Sequence, residues 1–86
     1  MNDQFILLTS LAMDLKRSAL GSESVSKRFL SEAMKRKTEL DKERFPNYIS
    51  DILENLENEK DRENLLMYSI LLQNYSRKQW KKSIYS

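Results

Sequence analysis

The sequence contains no cysteine and no histidine. Without cysteine there is no disulfide or thiolate metal site to hold a small domain together. The lack of both residues also removes the side chains on which the common nucleophile-and-base constellations depend. Gly21 is the only glycine and Pro46 the only proline. One glycine cannot build a glycine-rich phosphate loop, and so few breakers let helices run long. Charge of either sign is not in excess: 15 Lys and Arg stand against 13 Asp and Glu, a net charge of +2. That balance alone points to no class of partner. Long apolar runs are also missing, and none approaches the roughly 18 residues of a transmembrane helix. The N-terminal segment opens with Asn2 and Asp3, and its apolar run is broken by Thr9 and Ser10, so it does not read as a signal peptide. A cytoplasmic protein with no membrane partner is the expectation.

What remains is helical. With 40% apolar and 33% charged residues in 86, the chain has the composition of one soluble helical domain rather than a disordered one. A chain of this length buries about 60% of the surface its unfolded form exposes, so its stability margin is thin. Phe5, Leu8, Ala12, Leu15 and Ala19 recur at helical spacing, with Leu11 beside them. They predict a first helix over residues 3–20, capped by Asn2 and closed by Gly21 in a left-handed conformation. Ser22 or Ser24 can cap a second helix over residues 23–43, with Val25, Phe29, Ala33 and Leu40 facing one way. Phe45-Pro46 marks a boundary, because a residue before proline leaves helical geometry. A third helix over residues 46–56 presents Ile49, Ile52, Leu53 and Leu56 on one face. A fourth starts near Glu59 and runs to at least Ser76. No segment alternates convincingly enough for a strand. The fold class expected is all-α, a small antiparallel bundle of about four helices. It forms one domain over residues 1–86, with 77–86 a basic extension of the last helix or a tail.

The stretch from Leu65 to Tyr75 is apolar at eight of its eleven positions. On a helical wheel Leu65, Tyr68, Leu72 and Tyr75 form a stripe that Met67 and Leu71 widen. Ser69, Gln73, Asn74 and Ser76 break the apolar cover. A helix apolar on most of its circumference is usually buried by several neighbours, and this one is read as the centre of the bundle. Leu66 and Ile70 fall off its main stripe, as Ile6, Leu7 and Met13 do on the first helix. These five form a candidate interface, because a short chain has limited interior in which to hide them.

Three other features bear on chemistry. Ser24-Val25-Ser26-Lys27 has Ser-x-x-Lys spacing, but Ser24 is better explained as a cap. Glu54 and Glu57 share a helical face, a spacing found in all-α enzymes that hold magnesium for nucleotide hydrolysis. Those enzymes need acid pairs converging from several helices, whereas here six acids crowd between Asp51 and Glu63 beside Lys60 and Arg62. A solvated acidic surface explains them, and no catalytic, cofactor-binding or metal residue is assigned. Bases gather at Lys35, Arg36 and Lys37 and again at Arg77, Lys78, Lys81 and Lys82, with Trp80 among the last. Such groups can neutralise phosphates and stack on an unpaired base. On a helix they are more simply a solvated face. The sequence thus suggests a non-enzymatic helical protein–protein interaction module, a small regulator or subunit whose partner is another protein or a second copy in a homodimer. Nucleic-acid binding through the two basic clusters is the alternative.

Overall fold

The structure is a computed structural model that describes the backbone of residues 3–85 and the side chains of residues 4–79. The described residues are all-α, with four helices: α1 (Asp3–Leu20), α2 (Glu23–Glu39), α3 (Asn47–Asn55) and α4 (Arg62–Tyr85). Single turns of 3-10 helix at Lys42–Arg44 and Leu56–Asn58 flank α3. Asn2, the expected cap of α1, lies outside the described residues.

Cross-links at both ends fix the topology. Gln4, near the start of α1, donates to the Glu39 carbonyl at 3.2 Å and accepts from the Asp41 N–H at 2.7 Å, both at the end of α2. Near the other end, the Ser18 hydroxyl donates to the Ser26 carbonyl at 2.9 Å. Phe5 meets Tyr75 of α4 with ring centroids 6.3 Å apart, while Arg62 at the start of α4 donates to the Gly21 carbonyl at 2.7 Å. Both α2 and α4 therefore run antiparallel to α1 and pack along it. The chain between them carries α3 and returns to the Gly21 end of α1.

The centre of the bundle is thus α1, not α4 as the leucine-rich stretch suggested. Leu8, Leu11, Ala12 and Leu15 are completely buried, because α1 has a neighbour on either side. α4 meets the bundle on one side. Its contribution to the core comes from Leu65, Leu72 and Tyr75, joined by Ile49, Ile52, Leu53 and Leu56 from the α3 segment. Phe5, Phe45, Tyr48 and Tyr75 close one end. Phe45 lies 6.2 Å from Phe5 and 6.1 Å from Tyr75, and Tyr48 lies 6.2 Å from Tyr75, all near edge-on. That is the favourable geometry for aromatic quadrupoles.

Helix ends depart from expectation where tertiary contacts decide them. α2 stops at Glu39 rather than running to residue 43. Leu40 is extended and buried, and the Asp41 carboxylate accepts from the Glu43 N–H to open a new 3-10 turn. Gln4 holds both sides of this break, satisfying the Glu39 carbonyl and the Asp41 N–H freed by ending the helix. α4 begins at Arg62 because Glu59 is extended and the Asp61 carboxylate caps the Glu63 N–H at 2.9 Å. Ser22, one of the two candidates, is the cap of α2. Gly21 does not adopt the left-handed conformation expected of it. Its role is space: a Cβ there would stand 2.5 Å from Val25 Cγ1 and 2.9 Å from the Arg17 carbonyl oxygen. The helix of α4 continues through the basic segment to Tyr85.

The molecule measures 42 × 20 × 19 Å. The 24 residues of α4, at 1.5 Å each, span about 36 Å and account for most of the long dimension.

Candidate interaction surface

The outward face of α4 carries large apolar residues while its inward face, beside core leucines, carries buried serines. Met67 and Ile70 are each 48% exposed and Leu71 40%, whereas Ser69 is completely buried and Ser76 nearly so. The polar residues that seemed to break the apolar cover are thus partly core. Small side chains at a helix crossing let the axes approach closely, and α1 contributes small buried residues of its own at Ala12 and Ala19. The Ser69 hydroxyl donates to the Leu66 carbonyl at 2.6 Å, so its burial leaves no unmet donor. Among the described residues the buried Ser76 hydroxyl oxygen has no hydrogen-bond partner.

Among the five residues proposed from sequence as an interface, the structure separates two groups. Leu7 and Leu66 are half-buried and pack against the core. They lie at the edge of the packed faces, where helix width rather than surplus explains them. Ile6, Met13 and Ile70 are exposed. Ile6, Met13 and Leu20 are spaced by seven residues and so share one outward stripe of α1. Met13 and Leu20 line a shallow groove with Val25 and Phe29 of α2 and Gln73 of α4. The Arg17 guanidinium sits 5.5 Å from the Phe29 ring centroid in this groove. Met67, Leu71 and Leu20 were not anticipated at the surface. The signal for the first two was the pair Ser69 and Ser76, seven residues apart on the face opposite them.

The basic cluster on α2 divides differently from a uniform solvated face. Lys35 is solvated and lies 3.7 Å from Glu32. Arg36 reaches across to α1 and donates through Nε to the Asp14 carboxylate at 2.8 Å. That carboxylate is buried, with Arg17 at 3.9 Å as a second cation. The hydrogen bond to Asp14 raises the Arg36 pKa above its ordinary value, against the opposing effect of desolvation. Lys37 was expected to extend its ammonium into water. Its side chain is only 8% exposed, and Nζ donates to the Glu57 carboxylate at 2.7 Å. That hydrogen bond, followed by the lysine's charge, holds Glu57 below the usual carboxylate range. Two of the three cations of this cluster are therefore occupied internally. Arg77 and Lys78 are exposed on α4. The side chains of Trp80, Lys81 and Lys82 lie outside the described residues.

The acidic segment is likewise divided. Glu54 faces Lys42 at 3.9 Å, while Glu57 goes to Lys37, because α3 gives way to 3-10 geometry after Asn55. The pair is split between two lysines. Lys27 lies 3.8 Å from Glu23, and Ser24 lies beside Ser22 at 3.5 Å. Among the described residues no group of three carboxylates is placed to hold a metal ion, and no helix is long and apolar enough to cross a membrane.

No protein-family model matches this chain, and no curated protein or solved structure matches it.

Proposed function

We propose that the protein is a non-enzymatic helical interaction module, a small regulator or subunit that binds another protein chain through the apolar faces left uncovered on α4 and α1. The observation that carries this reading is the row Met67, Ile70 and Leu71, turned away from the core while serines of the same helix are buried. Exposed contiguous apolar groups on a small protein commonly mark interfaces. The outward stripe Ile6, Met13 and Leu20 on α1 adds a second uncovered region. The sequence supplies neither histidine nor cysteine for the commonest catalytic constellations. The nucleic-acid alternative loses support on α2, where Arg36 and Lys37 are engaged in internal ion pairs.

The test uses matched baits in the native host: the wild-type chain, Ile70→Glu and Met13→Glu. The wild type should retain a protein, either another chain or a differently tagged copy of itself, that one of the two variants loses. Circular dichroism should be the same for all three, since both positions are exposed. Identical sets of retained proteins for all three baits would contradict the reading.

A further inference from the structure

On the outward face of α4 the charges are placed as well as the apolar groups. Glu63, Ile70 and Arg77 are spaced by seven residues and are all exposed. Seven residues turn a helix by nearly two full turns, with a drift of about 20°. The three therefore lie along one line, with Ile70 at its midpoint. Glu63 and Arg77 are separated by about 21 Å along the axis. Neither side chain makes an ion pair among the described residues. Met67, Leu71 and Asn74 flank the line on one side, and all three are exposed. The core-facing residues Leu65, Ser69, Leu72 and Ser76 lie on the opposite half of the helix.

We infer that this line is self-complementary, and that two copies of the chain pair through α4 in an antiparallel, two-fold arrangement centred on Ile70. A two-fold axis through Ile70 places the two Ile70 side chains against each other. It sets Leu71 beside the second copy's Leu71 and Met67 beside the second copy's Asn74. Each Glu63 then faces the second copy's Arg77, giving two ion pairs, one at each end of the apolar contact. A parallel pairing of the same faces would oppose Glu63 with Glu63 and Arg77 with Arg77. Like charges at facing positions disfavour a pairing, and charged flanks of this kind set helix orientation. The charge order of α4 thus selects one direction, while Ile70 sets the register. A pairing confined to one helix face belongs with weak, transient interfaces rather than obligate ones, so association is expected at tens of micromolar and above.

This inference rests on the reading of the α4 face as an interaction surface, and names the second copy as its partner. The experiment is sedimentation equilibrium of the full chain over a range from micromolar to several hundred micromolar. Glu63→Lys and Arg77→Glu should each weaken self-association about ten-fold or more, because each creates two like-charge contacts. The double variant carrying both should recover most of it. Cysteine cross-linking gives an independent reading in a chain with no native thiol. Ile70→Cys should form a disulfide-linked dimer on oxidation, since the two positions meet on the axis, whereas Glu63→Cys should not. Cross-linking of both variants would establish a parallel pairing and overturn the inference. So would association indifferent to either charge reversal, or a double variant as weak as the single ones. A chain that stays monomeric but loses a native-host partner on Ile70→Glu would also overturn the pairing, while leaving the interaction-module reading in place.

Discussion

Asp14 is the residue on which most depends for its size. Its side chain is 5% exposed, and its carboxylate takes the Arg36 guanidinium at 2.8 Å. A buried charge is tolerated only when paired. Arg36→Ala should destabilise the fold by about 1–3 kcal/mol, the penalty for leaving a buried polar group short of its partner. Chemical denaturation of the variant checks this, and a loss below a few tenths of a kcal/mol would show that Arg17 or water suffices. Ser76 presents the opposite case. Its hydroxyl is buried with no partner among the described residues, so Ser76→Ala removes an unmet polar atom without adding volume. The expected result is unchanged stability or a gain of up to about 1 kcal/mol, read as a denaturation midpoint. Neither effect was legible in the sequence. Asp14 is one acid among 13, and Ser76 belongs to a set that looked like the polar side of its helix. What decides both is a partner more than twenty residues away or a neighbouring helix, and local pattern carries no record of either.

The elements show where local pattern suffices. The bounds of α1 follow from its repeat and from Gly21, and they are met by the structure at Asp3–Leu20. The glycine was assigned the wrong reason, since its backbone is not left-handed; crowding against Arg17 and Val25 is what excludes a side chain. Gly21→Ala should therefore cost about 1–3 kcal/mol, as overpacking does, even though alanine loses less backbone entropy on folding. A melting temperature equal to the wild type would refute the crowding argument. The end of α2 was misjudged because nothing between Lys35 and Glu43 breaks a helix. The break is imposed by burial of Leu40 and by Gln4 from α1. The α3 segment is tied to α2 by Lys37 and Glu57, and this tie is sensitive to acid. Glu57 is held below its ordinary value of 4.5, so its contribution is fully present above that pH. It is lost as pH falls further, through the lowered folded-state value. Urea midpoints measured from about pH 6 to about pH 3 should fall more steeply for the wild type than for Glu57→Gln. Parallel curves would show that the pair contributes nothing to folding.

At the scale of the whole molecule, the all-α bundle was legible from helical spacing, scarce breakers and the lack of alternating segments. Its centre was not. Leu65–Tyr75 carries eight apolar residues in eleven, no more than the stretch 5–15 of α1, and α1 is the helix with a neighbour on either side. Apolar content and degree of burial part company when one helix has a neighbour on either side and another meets the bundle on one side only. Of the residues that looked surplus, Ile6, Met13 and Ile70 are exposed while Leu7 and Leu66 pack inward, and Met67 and Leu71 join the exposed set. The stripe Leu65, Tyr68, Leu72 and Tyr75 is the side that the bundle covers, but Met67 and Leu71, expected to widen it, are left outside. The pairing of two copies is assigned to the outward face of α4 alone. Methyl NMR of the full chain over a dilution series tests it most directly, because the two faces of α4 report separately. The methyl resonances of Met67, Ile70 and Leu71 should move with concentration, while those of Leu72 on the inward face and Met34 against the core stay fixed. Outward-face resonances that hold still from micromolar to several hundred micromolar, or core methyls that move equally, would contradict it.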